Sequence, residues 1–368
     1  MHVVWIAFTD YRSYPSLRWQ PEDSVNLLSG PNGAGKTNVL EGIAYMASLR
    51  SFRGVSDEGL IADEAERGYI RGGVARQDSG EALIEIELAR VGGRRAQVDR
   101  QRLRRTSDLI EVLRVVTFLP EDLDIVKRGP GYRRAVIDEA AALVRPSAAA
   151  DFAEYDRALR QRNAFLRQGH IDAVTLGVWE ERLSQAGGKV MARRAWILSH
   201  IAPHMTQAYR AISGSQSTLT VDYESEWGGV ADPELLAGDH GAALAERLEQ
   251  RRRHDIERRV TTVGPHRDEP RLLLDDYDTR IHGSQGEQRT TALAIRLAVH
   301  AVVSELSGVS PVLLLDDVFS ELDNDRSRAL AVALPATQTF ITTARPEDVP
   351  LAGRHWQVGV GAVTGVEG

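Results

Sequence analysis

The sequence contains no cysteine among its 368 residues. This absence excludes disulfide bonds, thiolate metal sites and a cysteine nucleophile. Long apolar runs are also missing, because no segment approaches the roughly 20 apolar residues that a membrane-spanning helix needs. The first ten residues hold a short apolar run with no basic flank before it, which is typical of a strand and not of a signal peptide. We therefore expect a cytoplasmic protein with no membrane partner.

Lysine is scarce, because it accounts for only three of the 45 basic residues and the others are arginine. The formal net charge of −7 would argue weakly against a polyanionic partner if the charges were spread evenly. They are not, since one stretch of the chain combines seven arginines with a single acid. The stretch contains Arg90, Arg94, Arg95, Asp99, Arg100, Arg102, Arg104 and Arg105.

Apolar periodicity divides the chain into two α/β ends and a helical middle. Alternation over Ala82–Ala89 predicts a half-buried strand, which Gly92 and Gly93 turn toward a hairpin partner at Ala96–Val98. Helical spacing dominates residues 133–212. Strand patterns then return in the last third of the chain.

The helical middle predicts an antiparallel arm of two long helices, interrupted at Gly169 and with a kink at Pro203. The fold class is therefore α/β with an inserted, mainly helical lobe. We predict that residues 1–132 and 256–368 form the α/β lobe around one shared sheet, and that residues 133–255 form the inserted arm.

A phosphate-binding loop occupies residues 30–37 and matches G-x-x-x-x-G-K-[ST] without a mismatch. Its residues are Gly30, Pro31, Asn32, Gly33, Ala34, Gly35, Lys36 and Thr37. Glycines let backbone N–H groups converge on phosphate, the lysine neutralises the β and γ oxygens, and the threonine hydroxyl is offered to Mg²⁺. The loop lies between an apolar strand and a helix that we expect to begin near Asn38, and this context argues against a chance glycine-rich turn.

An apolar strand at residues 311–315 ends in two carboxylates, Asp316 and Asp317. Such a strand can deliver Asp316 beside a metal ion, and Asp317 then lies where a general base would orient the attacking water. Apolar strands that end in two aspartates are also common in ordinary cores. The phosphate-binding loop favours the catalytic interpretation, with Lys36 as the third catalytic residue.

The segment Ser284-Gln285-Gly286-Glu287 opens a predicted helix. Backbone groups at a helix N-terminus form a phosphate-binding surface. The alternative is an ordinary capping box between Ser284 and Glu287. The position of this segment just before the carboxylate strand favours phosphate binding.

The order GPNGAGKT, SQGEQR, LLLDDVFSELD resembles the ABC-type ATPase heads of the SMC group, and its details are most similar to the RecF family of bacterial recombination mediators. Three further stretches carry the same resemblance: FTDYRSY at residues 8–14, FLPED at 118–122 and GPHRD at 264–268. The resemblance runs from about residue 3 to residue 345. The arm is covered more by its position than by motifs.

This resemblance implies ATP and Mg²⁺ as cofactors, with Thr37 and Asp316 as metal ligands. Residues 284–287 would contact the γ-phosphate held by a second copy of the chain, and Asp323 would lie in the loop that crosses the dimer interface. Arg12 and Asn38 would join the phosphate-binding loop at the nucleotide. Thr343 falls where many such heads have a switch histidine.

Besides Thr343, two further departures from the pattern concern hydrolysis. No glutamine occurs at Leu119–Asp122, where SMC heads have their glutamine loop. Asp317 stands where transporter cassettes usually have glutamate, and a carboxylate one methylene shorter places water less well. We therefore expect a slow, DNA-dependent ATPase.

The implied function is ATP-dependent dimerisation on duplex DNA at single-strand gaps, with assistance to RecA loading together with RecO and RecR, and release on hydrolysis. The setting would be the nucleoid, in DNA replication, recombination and the SOS response. The alternatives are another SMC-like DNA-repair ATPase head, a DNA-bridging clamp with vestigial hydrolysis, and a transporter cassette, which would leave the arginine cluster unexplained.

Within that cluster, Arg94, Arg95, Arg104 and Arg105 are the predicted DNA contacts, because a hairpin that presents them would bind phosphates without reading sequence. A solvated charged face is the alternative. No aromatic residue is interleaved, which disfavours stacking on single strands.

The histidines add little. His200 and His204 have the spacing of a helical zinc pair, but no third ligand is in view. His266 in the GPHRD stretch either packs a turn or lies near the nucleotide.

Overall fold

The computed structural model describes residues 1–76, 80–168, 171–225 and 239–366. The strands are β1 (His2–Tyr11), β2 (Tyr14–Trp19), β3 (Val25–Ser29), β4 (Arg67–Arg76), β5 (Gly80–Ala89), β6 (Arg95–Val98), β7 (Gln101–Arg102), β8 (Val115–Phe118), β9 (Leu219–Glu224), β10 (Glu269–Leu274), β11 (Tyr277–Asp278), β12 (Val312–Asp316), β13 (Thr339–Thr343), β14 (Arg354–Gly359) and β15 (Ala362–Gly365).

The helices are α1 (Lys36–Ser48), α2 (Leu123–Lys127), α3 (Pro130–Val144), α4 (Ser147–Leu166), α5 (Ala173–Ser213), α6 (His240–Arg258), α7 (Thr279–His282), α8 (Gln285–Ser307) and α9 (Asn324–Ala333). Short 3-10 turns occur at Asp57–Leu60, Thr106–Leu109, Pro120–Asp122, Phe319–Glu321 and Pro346–Asp348. In the part of the chain described, none of these helices has the length and apolarity to cross a bilayer.

The chain divides into two compact units. The first unit comprises Met1–Asp122, Ala211–Gly214 and Val299–Gly368, and the second comprises Leu123–Arg210 and Ser215–Ala298. The domain limits given above from the sequence remain a prediction.

The first unit contains two six-stranded sheets. One is built from neighbouring antiparallel strands in the order β2-β1-β4-β5-β6-β7. The other has the order β15-β14-β3-β13-β12-β8, in which β3 pairs in parallel with both β13 and β14. Because β3 comes from the start of the chain and β12 to β15 from its end, the predicted shared sheet is confirmed.

Burial follows from this topology. In β12 every residue is buried, as expected of a central parallel strand covered on both faces. In β5 buried and half-buried residues alternate, as expected of a strand with one face on the core. Helix α1 buries Leu40, Ile43 and Met46 in a core that also includes Leu314 of β12 and Phe340 of β13. This core holds three chain positions in place around the phosphate-binding loop. They are the end of β3, the start of α1 and the end of β12.

The second unit is built on long helices and the small sheet β11-β10-β9. Helices α4 and α5 are antiparallel, because Glu154 pairs with Lys189 while the earlier Asp151 pairs with the later Arg193. The predicted helical lobe is confirmed, and Pro203 lies inside α5. Gly169, the predicted interruption, lies outside the described residues.

One predicted boundary is wrong by two residues. Helix α1 begins at Lys36 and not near Asn38, because the backbone is helical directly after Gly35. This start puts the lysine and threonine of the loop on the first turn of the helix.

Candidate nucleotide-binding site

The phosphate-binding loop is shaped by glycines that no other residue could replace without strain. Gly30, Gly33 and Gly35 have φ values of 156°, 82° and 102°. A Cβ atom on Gly35 would lie 2.7 Å from the Ser13 hydroxyl oxygen, and one on Gly30 would lie 2.4 Å from the Val358 carbonyl oxygen. The main chain of the loop is therefore packed closely against Ser13 and Val358. It leads into α1, whose first residues have no side-chain cap and present the positive end of the helix dipole.

Lys36 is held on the inner side of this loop. Its Nζ donates hydrogen bonds to the carbonyl oxygens of Gly30 at 2.7 Å and Pro31 at 3.1 Å. Burial lowers the pKa of the ammonium group, and the nearby carboxylates of Asp317 and Asp316 oppose that shift. A buried cation at the start of a helix is suited to bind phosphate oxygens.

Thr37 and Asp316 converge from two different elements. The Thr37 hydroxyl donates to Asp316 Oδ1 at 2.9 Å, and the Thr342 hydroxyl donates to the same oxygen at 2.5 Å. Burial raises the pKa of Asp316, and the negative charges of Asp317 and Glu121 add to the shift. A hydroxyl and a carboxylate placed together in this way are the two side chains that hold Mg²⁺ in P-loop proteins, where phosphates and waters complete the coordination.

Asp317 has a strained backbone and a carboxylate oxygen without a partner. Its φ is 51°, and its N–H donates to the carbonyl and hydroxyl oxygens of Thr342 at 3.1 and 3.0 Å. Within the described chain, its Oδ1 atom is buried and accepts no hydrogen bond. Strain and an unpaired buried acceptor are both typical of functional residues.

These residues line one cavity of about 770 Å³, which we call the nucleotide cavity. This volume is within the range of small-molecule and cofactor pockets. It brings together Arg12, Asn32, Gly33, Gly35, Lys36, Thr37, Asn38, Asp316 and Asp317, which the sequence had placed in one site. It also includes Ser13, Arg53, Gly59, Ile61, Ala62, Asp63 and Thr342, which sequence reasoning missed.

Arg12 is fixed by a buried carboxylate that sequence reasoning also missed. Its Nε and Nη2 atoms donate to the two oxygens of Glu41, each at 2.9 Å, and the Glu41 side chain is fully buried. The Ser51 hydroxyl donates to Glu41 at 2.5 Å. Glu41 follows Lys36 on α1, on the helix face that the apolar spacing assigns to the core. Its charge at a core position was the available signal.

Asn38 connects the loop to two other residues that line the nucleotide cavity. Its amide donates to the Ser13 hydroxyl at 2.9 Å and accepts from Arg53 Nη1 at 3.3 Å. Ala62, which also lines the cavity, is tied to β1, because its N–H donates to the Asp10 carbonyl at 2.9 Å. Residues 61–63 therefore form a fixed edge at one side of the phosphate loop.

The segment that opens α8 forms the capping box foreseen as an alternative. The Ser284 N–H donates to Glu287 Oε2 at 2.7 Å, and the Glu287 N–H donates to Ser284 Oγ at 3.3 Å. Ser284 and Gln285 are nevertheless exposed, and Gly286 is half-buried. Capping and phosphate binding are compatible, because the cap fixes the helix start and leaves its outer face open.

Asp323 and Thr343 do not line the nucleotide cavity. Asp323 is exposed and caps α9, accepting from the Arg326 N–H at 2.9 Å. Thr343 is buried and its hydroxyl donates to the Arg345 carbonyl at 3.1 Å. Its neighbour Thr342 lines the cavity, since successive strand residues point to opposite faces.

The predicted DNA contacts differ in their surroundings. Arg94 donates to the Leu49 carbonyl at 2.8 Å and pairs with the Asp57 carboxylate at 3.2 Å. Arg95, Arg104 and Arg105 are exposed. Arg94 therefore already has a counter-ion in Asp57 and is tied to the end of α1 through the Leu49 carbonyl, whereas the other three present their charge to solvent.

His200, His204 and His266 do not line the nucleotide cavity. His266 Nδ1 is 2.6 Å from the Tyr155 hydroxyl and its Nε2 is 3.2 Å from the Thr261 carbonyl, both within the second unit. Burial lowers the pKa of His266 to about 4, so it is neutral at pH 7. This is the turn-packing interpretation. His200 bonds to the Trp196 carbonyl, and the described residues contain no group of three side chains that could hold a metal ion.

Known proteins match this chain over nearly its whole length. The family described as RecF/RecN/SMC N terminal domain matches residues 2–364. A "DNA replication and repair protein RecF" of Kineococcus radiotolerans is 39% identical, with 96% of each chain covered. The protein of the same name from Streptomyces avermitilis is 37% identical, with 99% of each chain covered.

Solved structures give the same result. The recombination mediator protein RecF-ATPrS in the RecFOR pathway has a TM-score of 0.91 at 29% identity, covering 100% of this chain and 98% of that one. The corresponding RecF-ATP structure has a TM-score of 0.89, also at 29% identity and with the same coverage. An Smc head domain from Pyrococcus furiosus, at 13% identity and a TM-score of 0.57, covers 99% of this chain and 96% of that one and shares the ABC-type head fold. The chain belongs to the RecF family.

Proposed function

We propose that this protein is an ATP-binding DNA-repair ATPase that forms a dimer when it binds ATP. One observation carries the proposal: the loop glycines Gly33 and Gly35, the buried Lys36, the Thr37–Asp316 pair and Asp317, whose Oδ1 accepts no hydrogen bond within the described chain, line a single cavity. This set supplies a phosphate cradle, a counter-charge, metal ligands and a base. The RecF relatives are named for DNA replication and repair, and one solved relative is named with ATP.

Within the nucleotide cavity each residue has a separate task. The loop N–H groups and Lys36 bind the β- and γ-phosphates, and Arg12 and Asn38 flank them. Thr37 and Asp316 would hold Mg²⁺, which neutralises charge on the phosphate oxygens. Asp317 accepts a hydrogen bond from the attacking water and orients it. Burial raises the pKa of the Asp316 carboxyl, and a bound cation would stabilise its charged form.

The outer side of the γ-phosphate needs a second set of donors beyond those that the nucleotide cavity supplies. We propose that residues 284–287 of a second copy provide them, with Asp323 in the loop that crosses between the two copies. Each ATP then contacts both chains and holds them together. Hydrolysis removes the shared phosphate, and the dimer separates. Thr343 remains a proposed switch position, although its hydroxyl is engaged by Arg345.

The output is binding of duplex DNA at single-strand gaps in the nucleoid, with help to RecA loading by RecO and RecR. Two solved relatives are named as recombination mediators of the RecFOR pathway, which supports those partners. Arg95 at the start of β6, and Arg104 and Arg105 just after β7, present exposed charge to the phosphate backbone, and Arg94 anchors the turn before β6. We propose slow turnover, since Asp317 is shorter than a glutamate.

Light scattering tests this function. The parent protein should double its mass with ATP and Mg²⁺, and gapped duplex should stabilise the dimer. Lys36→Met should remain a monomer, because the phosphates lose their buried counter-ion. Lys189→Met is the matched control, since Lys189 is an exposed partner of Glu154. A parent protein that stays monomeric with ATP and gapped duplex would refute the proposal.

A further inference from the structure

The turn before α8 exposes two large apolar side chains. Tyr277 of β11 is 69% exposed and Ile281 of α7 is 70% exposed. The His282 ring meets the Tyr277 ring edge-on, with centroids 6.1 Å apart. Exposed charged residues surround them: Asp275, Asp276 and Arg280. We call Tyr277, Ile281 and His282 the apolar turn.

Hydrogen bonds join the apolar turn rigidly to the start of α8. The buried Gln288 side chain donates to the carbonyl oxygens of Thr279 at 3.1 Å and Arg280 at 3.4 Å. The Gly283 N–H donates to the Thr279 carbonyl at 3.1 Å, and a Cβ on Gly283 would lie 2.5 Å from that oxygen. These contacts fix the position of the apolar turn relative to the start of α8. The turn ends at His282, two residues before Ser284, so a partner that contacts Ser284 lies close to it.

The two exposed side chains are not needed to hold the turn in place. Its internal contacts come from buried polar groups, such as the Thr279 hydroxyl that donates to the Leu272 carbonyl at 2.9 Å. In protein–protein interfaces, apolar side chains at the centre become buried and charged residues stay at the rim. Tyr277 and Ile281, with charged residues around them, have this arrangement. Isolated exposed apolar residues are common. The rigid connection to Ser284 distinguishes this pair.

We infer that the apolar turn packs against a second copy of this chain in the ATP-bound dimer, which it stabilises alongside the shared γ-phosphate. The inference rests on the proposed function, in which residues 284–287 contact the partner's nucleotide. In a symmetric dimer the contact occurs twice. Its contribution is separate from nucleotide binding, because neither Tyr277 nor Ile281 lines the nucleotide cavity of its own chain.

The first test removes the apolar surface. In the double variant Tyr277→Ser with Ile281→Ser, the dimer dissociation constant measured by sedimentation equilibrium in ATP and Mg²⁺ should rise at least about 100-fold, because four apolar side chains are removed from each dimer. The affinity of the monomer for ATP in calorimetry should not change. Val174→Ser is the control, because Val174 is 78% exposed on α5.

The second test uses the absence of cysteine from the chain. In Ile281→Cys the single thiol should react with a maleimide several-fold more slowly once ATP and Mg²⁺ are added. The thiol of Val174→Cys should react at an unchanged rate. This protection reports burial even if a serine variant were to lose stability.

The outcomes separate the two proposals. If the parent dimerises but the double variant has a dissociation constant within about twofold of it, or if the Ile281→Cys thiol is not protected, the apolar turn is not part of the interface and only this inference fails. If the parent does not dimerise with ATP, the proposed function fails and this inference fails with it.

Discussion

The nucleotide cavity and the start of α8 both have features of phosphate-binding sites, but they differ in how far their residues are buried and enclosed. In the cavity, buried side chains from two segments of the chain converge: Lys36 from α1, and Asp316 and Asp317 from the end of β12. At the start of α8, Ser284 is exposed and shares its N–H and hydroxyl with the capping residue Glu287. The first region is a preformed pocket within one chain. The second is a surface that gains a function only when a ligand is brought to it.

The difference teaches how one chain can couple ATP to assembly. A cavity that was complete within one chain would bind and hydrolyse ATP without a partner. A rigid, exposed helix start cannot bind phosphate strongly by itself, since solvent competes for its N–H groups. In the proposed dimer, each ATP contacts the nucleotide cavity of one copy and the α8 start of the other, so ATP links the two copies. The predictions below alter one side of this division at a time.

The largest effect is expected from Asp317→Asn, which changes chemistry in the cavity without changing shape. Loss of the base should lower turnover by about 10²- to 10⁴-fold while ATP binding is retained. The ATP-bound dimer should therefore accumulate, which chromatography after ATP addition would detect. Asp325→Asn, at a 94% exposed side chain on α9, is the control. Turnover at the parental rate would assign the base elsewhere, with Glu121 the next candidate.

Glu41→Gln tests how the cavity wall is held. The change removes the counter-charge of a bidentate pair whose carboxylate is fully buried, while Arg12 remains 17% exposed. We expect the free energy of unfolding in urea to fall by about 2 to 3 kcal/mol, less than for a fully buried pair because water reaches Arg12. ATP affinity should also weaken. A double-mutant cycle with Arg12→Gln should give strong coupling. If the two losses of unfolding free energy were simply additive, the Arg12–Glu41 pair would contribute no interaction energy to stability.

The smallest effect concerns the exposed arginines. Replacing Arg95, Arg104 and Arg105 by alanine should flatten the slope of log K against log salt for duplex DNA by about 2.7, at roughly 0.9 for each phosphate that is no longer neutralised. Arg94→Ala should change this slope little, because Arg94 already pairs with Asp57. Nucleotide binding should be unaffected in both variants. If the slope of log K against log salt were unchanged in the triple variant, the arginine cluster would be a solvated charged surface that does not contact DNA phosphates.

Local patterns in the sequence predicted part of the strands and helices, and they placed the phosphate loop with Asp316 and Asp317 in one site. The glycine loop and the apolar strand that ends in Asp316 and Asp317 depend on neighbouring residues, so spacing alone locates them. The shared sheet also followed, because strand patterns at both ends of the chain needed partners.

What the sequence did not reveal depends on pairs that are distant along the chain. Glu41 meets Arg12 across 29 residues, and no local pattern announces the pair. Thr342 rather than Thr343 lines the cavity, because strand register decides which of two neighbours faces inward, and a shift of one residue reverses it. In the sequence Arg94 does not differ from the neighbouring arginines, because its ion pair with Asp57 joins residues 37 positions apart.

The proposal that one ATP site is formed by two copies of the chain is tested most directly by mixing two inactive variants. Ser284→Arg should fold and bind ATP yet fail to dimerise, because a bulky cation fills the surface that meets the partner's γ-phosphate. Lys36→Met should not hold ATP. A mixed dimer retains one intact site, formed by the loop of the first variant and the α8 start of the second. We predict that ATPase activity, absent from each variant alone, returns on mixing. Parental activity of Ser284→Arg alone would contradict the account.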